Sequence, residues 1–407
     1  MRARGALVAL LTLAGVVAAP AAGLRAEVSI LQSTHQGADF IVGIPRRDLW
    51  NGDLVIFAHD YEGEGSGRGS VTIPPLAGQL TKRGYAWAAS GYRSKGYHPD
   101  LFMADTLALR ERFVNEIGRP KRTIIHGQSM GGYVAIASLE IHPEIYQGAL
   151  IECGAVNGVG LVDWLYAYGA AADYLSGVRL LDAPNRTVFD TLVAGPWGAA
   201  MGMPGSYTER GRRFDSVVKH LMGGDLPLRL EGLKQRYLTK LDVRDPWPHG
   251  AQELARNAST KDIRYDIDAG LGVDAATLNR DIQRVTPAAG ARSHAHNAVF
   301  AELTGKIRVP VMTIHETGDL HVPFRMEQDY RRRTIAADTG RFLVQRAVRG
   351  PGHCAFNTMV RVRAFDDLTE WIARGVVPEG DDVLAADVSK LGLRWTPVRH
   401  PADPVRP

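Results

Sequence analysis

The chain has 407 residues, of which 45% are hydrophobic and 23% charged, and these proportions exclude a disordered or fibrous protein. Lysine and arginine number 48 against 44 acidic residues, and the resulting charge of +4 is too small to predict a nucleic-acid partner. Because the chain is longer than the roughly 250 to 300 residues at which a single core stops growing, we expect one enlarged domain or two domains.

The N-terminus has the features of a secretory signal peptide. Arg2 and Arg4 precede an apolar run at 6–19, which is shorter than the about 20 residues of a membrane span. A retained membrane anchor is the alternative, but Pro20 interrupts the run. We therefore predict a signal peptide at 1–21, a secreted or periplasmic protein, and no stable membrane span after signal removal.

Strands and helices then alternate along the first part of the chain. The hydrophobic pattern predicts strands at 39–44, 53–58, 85–90, 122–126 and 149–151, with helices at 74–84, 99–118 and before His142. The run at 53–58 is continuously apolar, as expected of a strand that is buried on both faces. This alternation predicts a parallel sheet with helices on both of its faces.

The alternation stops at about residue 156 and resumes at about residue 306. The interval is rich in Gly and Pro, carries aromatic clusters around Trp164 and Trp197, and has helical stretches. A structureless loop of about 150 residues would be exceptional. We predict a mainly helical insertion at 156–305 between two parts of one core, 27–155 and 306–375.

The second part of the core repeats the same alternation. It has predicted strands at 309–314 and 341–348 and predicted helices at 325–337 and 358–374. The tail at 376–407 is rich in Pro and Asp, so we expect it to pack loosely.

Residues 127–131 read Gly-Gln-Ser-Met-Gly, a G-x-S-x-G pattern. In a chain with 44 glycines the pattern also fits an ordinary glycine-rich loop. Here a predicted strand leads into it and a predicted helix leaves it, which is the setting of a sharp turn that exposes a serine hydroxyl above a sheet. Ser129 is therefore the candidate nucleophile.

A serine nucleophile needs a histidine to take its proton and an acid to orient that histidine. His353 lies between the last predicted strand and the last predicted helix, at the sheet edge where Ser129 is expected. Asp319 follows the strand at 309–314 and is the candidate acid, with Glu152 and Glu316 as rivals at the same edge. The order Ser, Asp, His is that of one class of serine hydrolases.

In strand order and in these motifs the chain resembles the α/β-hydrolases with a lid inserted near Ile151. The resemblance covers about 39–375, and it includes the His59-Asp60-Tyr61 segment after the strand at 53–58. It implies an α/β fold with a mostly parallel, doubly wound α/β-hydrolase sheet and a large, mainly helical lid. It implies no cofactor.

The same resemblance implies an oxyanion hole made of two backbone N–H groups. One belongs to Met130, directly after the nucleophile, and the other to Tyr61 in the loop after the strand at 53–58. Many members carry His-Gly where this chain has His59-Asp60, and we expect His59 to be a structural loop residue.

Cys153 and Cys354 are the two cysteines of the chain, and the fold places both at one end of the sheet. We expect a disulfide between them, with two reduced thiols as the alternative. His353-Cys354 also resembles the tannase-like and feruloyl esterases, in which cysteines neighbour both serine and histidine. Gln128 precedes the serine here, so that match is incomplete.

Two histidine pairs raise the alternative of a metal site. They are His294 with His296 and His315 with His321, and neither pair has a third ligand at a recognised spacing. We therefore expect no metal.

The predicted function is a secreted serine hydrolase of carboxylic esters that works through an acyl-serine intermediate. A peptidase or amidase with the same residues is the first alternative, and a non-catalytic binding protein is the second. The expected partner is a small-molecule or polymeric ester substrate, with no nucleic acid. The oligomeric state stays open.

Overall fold

The computed structural model describes residues 28–63, 65–237, 256–292 and 303–397. The predicted signal peptide at 1–21, as well as His294 and His296, lies outside these residues. Within the described ranges, no helix is both long enough and apolar enough to cross a membrane.

An eight-stranded sheet forms the centre of the molecule. The strands are β1 Val28–His35, β2 Ala38–Pro45, β3 Asp53–Ala58, β4 Ala86–Ser90, β5 Arg122–Gln128, β6 Gly148–Glu152, β9 Val311–Glu316 and β10 Leu343–Val348, with β7 Gly202–Met203 and β8 Ser206–Tyr207 forming a separate small sheet. The spatial order of the central sheet is β1-β2-β4-β3-β5-β6-β9-β10. β1 and β2 pair antiparallel, β2 and β4 pair antiparallel, and the remaining neighbours in the sheet pair parallel. The predicted mostly parallel sheet is thus confirmed.

Helices cover both faces of the sheet, as the strand and helix alternation predicts. The helices are α1 Ala77–Lys82, α2 Pro99–Glu116, α3 Met130–Ile141, α4 Gly160–Ser176, α5 Arg186–Leu192, α6 Gly198–Met201, α7 Glu209–Met222, α8 Arg229–Arg236, α9 Ala275–Asp281, α10 Arg325–Ala336 and α11 Thr358–Arg374. Helices α1 and α11 pack on one face, where they share a hydrophobic cluster with the strands. Helices α2, α3 and α10 pack on the other face.

β3 shows why the central strands are apolar without interruption. Val55 and Phe57 enter the cluster under α1 and α11, whereas Leu54 and Ile56 enter the cluster under α2. All four side chains are fully buried. Because successive side chains of a strand point to opposite faces, burial on both faces requires this sequence.

The chain between β6 and β9 contributes α4 to α9, which do not extend the sheet. These helices bury aromatic side chains against one another; Phe214 meets Tyr168 at 5.0 Å and Tyr237 at 5.9 Å between ring centroids. Their hydrophobic cluster is continuous with that of α3. The bounds of the insertion at 156–305 stay a prediction.

The expectation of a loosely packed tail is wrong for residues 376–397. Val383, Leu391 and Trp395 are buried, and the Trp395 ring lies 3.8 Å from the guanidinium carbon of Arg346. These three buried side chains pack the segment against the rest of the protein, although its Pro and Asp content favours a loosely packed end.

Helix α8, which lies between β6 and β9 in the chain, is close to two loops that follow β9 and β10. The hydroxyl of Thr317 donates a hydrogen bond to the Pro227 carbonyl at 2.6 Å. A methyl group at Gly232 would overlap the carbonyl oxygen of Gly318 and stand 3.3 Å from that of Pro351. The absence of a side chain at Gly232 therefore sets how closely α8 approaches these loops.

We predict that Gly232→Ala separates α8 from the loops and lowers the free energy of unfolding by about 1 to 3 kcal/mol. Gly78→Ala in α1 is the matched control, because a methyl group there meets nothing within 4 Å. That control is expected to stabilise the protein by about 0.5 to 1 kcal/mol, since alanine favours the helix. Urea unfolding of both variants measures the difference, and equal stabilities would contradict the close approach.

Candidate active site

Ser129 occupies the sharp turn between β5 and α3. Its backbone angles, φ of 54° and ψ of −116°, lie in a region that residues other than glycine rarely adopt. This backbone strain costs on the order of 1 to 3 kcal/mol. The crossing is tight, because a methyl group at Gly127 would overlap Gly131 O, and one at Gly131 would overlap Ala58 O. The Ser129 N–H donates to Glu152 O at 3.0 Å and ties the turn to the neighbouring strand.

A continuous row of hydrogen bonds joins three of the predicted residues, Ser129, His353 and Asp319. The Ser129 hydroxyl lies 2.7 Å from His353 Nε2, and His353 Nδ1 lies 2.6 Å from Asp319 Oδ2. Asp319 is fully buried, whereas the His353 side chain keeps 18% of its exposure. In this geometry, one ring nitrogen faces the hydroxyl and the other faces the carboxylate.

The second oxygen of Asp319 is held by the backbone of its own loop. Oδ1 accepts hydrogen bonds from the N–H groups of His321 at 2.8 Å and Val322 at 3.1 Å. Burial alone acts to raise the pKa of Asp319, but the charge and hydrogen bond of His353, the charge of His315 and the Val322 N–H outweigh it and lower the pKa. Asp319 is therefore a buried carboxylate that stays ionised.

The rival acid Glu152 has other partners. Its carboxylate bridges His126 Nε2 at 2.8 Å and Arg361 Nε at 2.7 Å, fully buried under α11. Burial acts to raise the pKa of Glu152, while His126 and Arg361 lower it below its ordinary value. The structure does not bring Glu152 into the row with His353.

The rival acid Glu316 lies under the loop that carries His353. It accepts the N–H of Ala355 at 2.5 Å through Oε1, while Oε2 is buried without a hydrogen-bond partner. Burial, followed by repulsion from Asp319, raises the pKa of Glu316 to about 8. Glu316 is therefore neutral near neutral pH and supports the loop after His353.

The two predicted oxyanion donors lie on adjacent segments. Met130 is the first residue of α3, and Tyr61 lies half-buried in the loop after β3. The overlap that a Gly131 methyl would have with Ala58 O shows that the first turn of α3 touches the end of β3. His59 is buried beside them with its ring stacked on Tyr92 at 4.1 Å, and burial lowers its pKa.

Cys153 and Cys354 form a disulfide, with their Cα atoms 5.4 Å apart and 201 positions apart in sequence. Cys153 directly follows β6 and Cys354 directly follows His353, so the bond joins the His353 loop to the strand beside Ser129. Both cysteines have a left-handed φ, 44° and 55°, as Ser129 does. The disulfide therefore anchors the loop from which the imidazole projects.

The described residues offer two places to look for a metal. Cys153, His353 and Cys354 present ligand atoms within 4.8 Å of one another, but the two sulfurs are bonded to each other. His315 has both ring nitrogens hydrogen-bonded to protein oxygens, one of Glu327 and one of Val322. Neither arrangement leaves a set of open ligands.

Two buried residues near the row are not predicted from the sequence. The sequence presents His315 only as a member of a histidine pair, and Glu327 has the position of an ordinary helix surface residue on α10. Glu327 is in fact 1% exposed and hydrogen-bonded to side chains of two strands. A buried carboxylate that ends up opposite a strand histidine carries no local sequence signal.

Part of the chain matches a known protein family, and solved structures share its fold. The Prolyl oligopeptidase family matches residues 70–187, from the segment before α1 to the start of α5. No curated protein sequence matches the chain. Feruloyl esterase B from Aspergillus oryzae superposes with a TM-score of 0.52 at 14% identity, over 87% of this chain and 82% of that one.

Two further solved structures are more distant. Est1E from Butyrivibrio proteoclasticus has a TM-score of 0.41 at 11% identity, over 85% of this chain and 99% of that one. The acylaminoacyl peptidase of Pyrococcus horikoshii has a TM-score of 0.41 at 14% identity, over 88% of this chain and 44% of that one. From its strand order and the feruloyl esterase superposition, the chain has the α/β-hydrolase fold.

We predict that Glu316→Gln removes a pH dependence of stability. The pKa of Glu316 is about 8 in the folded protein, against the ordinary value of 4.5 in the unfolded chain. Between these two pH values the folded protein keeps a proton that the unfolded chain has lost, so the free energy of unfolding falls as the pH rises. A glutamine has no such proton. The variant should therefore be more stable than the wild type at about pH 8.5, by on the order of a few kcal/mol, and the gain should shrink towards about pH 4.5.

Urea unfolding at both pH values measures this gain. Glu370→Gln on the exposed side of α11 is the control, and its stability should stay within about 0.5 kcal/mol of the wild type at either pH. A Glu316→Gln effect that does not change with pH would show that this carboxyl is ionised in the folded protein.

Proposed function

We propose that this protein is a secreted serine hydrolase that cleaves carboxylic esters through an acyl-serine intermediate. The observation that carries the proposal is the row from Ser129 through His353 to Asp319, with hydrogen-bond distances of 2.7 and 2.6 Å. A hydroxyl, an imidazole and a buried carboxylate in this sequence of contacts are what nucleophilic catalysis by serine requires. The complete row also argues against a non-catalytic binding protein.

In the acylation step, the Ser129 oxygen attacks the ester carbonyl carbon while His353 Nε2 accepts the hydroxyl proton. Asp319 accepts a hydrogen bond from His353 Nδ1–H, which fixes the tautomer whose Nε2 is free to act as a base. Its negative charge also stabilises the imidazolium that forms. The residual exposure of His353 gives the ring access to substrate, whereas the burial of Asp319 keeps water from competing for its oxygens.

The carbonyl oxygen becomes negative in the tetrahedral intermediate and needs donors in place before the reaction. We assign this role to the backbone N–H groups of Met130 and Tyr61, each worth about 3 to 4 kcal/mol of transition-state stabilisation. His353 then gives its proton to the leaving alcohol. A water molecule, activated by the same imidazole, hydrolyses the acyl-serine and restores Ser129.

An ester is the preferred substrate class, and feruloyl esterase B, which shares the fold along 87% of this chain, supports it. A peptidase or amidase is the second candidate, favoured by the match of residues 70–187 to the Prolyl oligopeptidase family. The fold and the serine machinery are the same for both, so the leaving group decides between them.

We also propose that the insertion at 156–305 is a lid over the site. The contact of α8 with the loops carrying Asp319 and His353 supports this assignment, since Gly232 packs on the carbonyls of Gly318 and Pro351. A cover at this edge would exclude water and shape the acyl pocket. The disulfide and the predicted signal peptide support secretion into an oxidising compartment.

We predict that Ser129→Ala abolishes labelling by a fluorophosphonate and lowers kcat by roughly 10⁴-fold or more, because only binding and oxyanion effects remain. Ser138→Ala is the matched control, since Ser138 is a buried serine of α3, the helix that follows Ser129, and its hydroxyl donates to the Val134 carbonyl at 2.7 Å. The control should keep both labelling and turnover. Labelling of the Ser129→Ala variant at the wild-type rate would place the nucleophile elsewhere.

The choice between ester and amide is tested with one acyl group presented on two leaving groups. We expect the p-nitrophenyl ester to be hydrolysed with a kcat/KM at least about 10³-fold above that of the p-nitroanilide, after correction for the uncatalysed rates of both. Each rate is measured for the wild type and for Ser129→Ala as background. Corrected values that are equal, or that favour the anilide, would support the peptidase or amidase instead.

A further inference from the structure

A second histidine lies behind the acid of the row. His315 is on β9, is fully buried, and has its Nε2 atom 3.6 Å from Asp319 Oδ2. Its Nδ1 atom lies 3.2 Å from Glu327 Oε1 on α10. His315 is thus enclosed between two carboxylates, one of which is the acid that orients His353.

The contacts of His315 favour its charged form. Nε2 lies 2.8 Å from the Val322 carbonyl oxygen and Nδ1 faces the Glu327 carboxylate, so both ring nitrogens face acceptors. A neutral imidazole carries a proton on only one nitrogen and would point a lone pair at the other oxygen. The imidazolium donates to both.

Glu327 is held in place as the counter-ion. Its Oε2 accepts hydrogen bonds from the Thr313 hydroxyl at 2.7 Å and from the Gln345 amide at 2.5 Å. These two donors fix the orientation of the carboxyl group, with Oε1 directed at His315. The strands β9 and β10 therefore hold a negative group on the far side of His315.

We propose that His315 is a positioning residue, whose imidazolium between Glu327 and Asp319 keeps Asp319 ionised and lowers the pH at which His353 becomes available as the base. This inference rests on the proposed function. Beyond the row of Ser129, His353 and Asp319, the next groups are His315 and then Glu327. The charges after His353 therefore alternate: negative at Asp319, positive at His315 and negative at Glu327. The positive charge of His315 offsets part of the field of Asp319 at His353, so that His353 releases its proton at lower pH.

The surrounding charged groups agree with this assignment. Burial acts to lower the pKa of His315, but the hydrogen bond and charge of Glu327, with the charge of Asp319, raise it to about 9. Other titratable groups in the surroundings are Glu316, on the opposite face of β9, His353, beyond Asp319, and His321, whose ring stacks on that of His353 at 4.9 Å. The His315 and Phe324 rings meet edge to face, with their centroids 5.7 Å apart.

The test is the pH profile of kcat/KM for the His315→Gln variant, or of fluorophosphonate labelling of Ser129 if no substrate has been found. Glutamine keeps hydrogen-bonding capacity but removes the charge, so we expect the midpoint of the profile to rise by about one pH unit. At pH values well above the midpoint, the rate should approach that of the wild type. A midpoint equal to that of the wild type would overturn the proposal.

Thr313→Val is the matched control. It deletes one hydrogen bond to Glu327 at the same depth in the protein but leaves the charge of His315 in place. Its midpoint should stay at the wild-type value even if its thermal stability falls. An equal shift in both variants would mean that packing, not charge, acts on His353.

Failure of the proposed function has a different signature. If the wild type is neither active nor labelled at Ser129, the serine hydrolase assignment fails, whatever the variants do. If the wild type is labelled at Ser129 but His315→Gln leaves its midpoint unchanged, only the role of His315 fails.

A measurement on the wild-type protein covers the case in which His315→Gln does not fold. With ¹⁵N-labelled histidine, the imidazole whose ring protons show Overhauser contacts to Phe324 should keep both N–H protons at about pH 8, where an ordinary imidazole is neutral. Loss of one of those protons below about pH 7 would contradict a charged His315.

Discussion

A negative charge without solvent contact lies at the end of β9, and the rest of the site is arranged around it. Asp319 is fully buried, and an isolated carboxylate in such a place would take up a proton. It stays ionised because His353 and two backbone N–H groups of its own loop donate to it. The sheet sets the positions of the segments that carry these donors. Disruption of this sheet edge would therefore remove both the arrangement of the donors and the negative charge of Asp319.

The loop that carries His353 is held from several directions. The disulfide from Cys354 fixes it to the end of β6, and Glu316 accepts the N–H of Ala355 from below. Arg361 of α11 donates to the Cys354 carbonyl at 3.0 Å. These contacts restrain the backbone while they leave part of the His353 ring exposed, as the proposed proton transfer needs.

Each face of the sheet holds a buried group of ionisable side chains. Under α11, Glu152 is paired with His126 and Arg361, and this group connects β5, β6 and the helix. On the α10 face, His315 and Glu327 form the corresponding buried pair directly behind Asp319. Breaking a buried pair leaves one uncompensated charge, which is strongly destabilising, so both groups favour a single arrangement of the strands that carry the site.

The sequence by itself determined the parts of this protein that depend on local patterns. The alternation of apolar runs predicted the parallel sheet, because a strand buried on both faces requires continuous hydrophobicity. The glycines around Ser129 predicted the sharp turn, because only residues without side chains fit where β5 and α3 cross. Strand ends also predicted which candidate acids and bases meet at one edge. The alternation also stops between β6 and β9, and this break was visible for the same reason.

Only the tertiary structure decided which of these candidates touch. Asp319, Glu152 and Glu316 all follow or end strands at the same edge, and the sequence ranks them without separating them by contact. His353 reaches Ser129 across 224 positions, and such a distance is closed by strand order and loop anchoring, which no local pattern records. The placement of Glu327 behind His315 and the anchoring of the tail by Trp395 depend on the same long-range packing, so neither leaves a signal in the sequence.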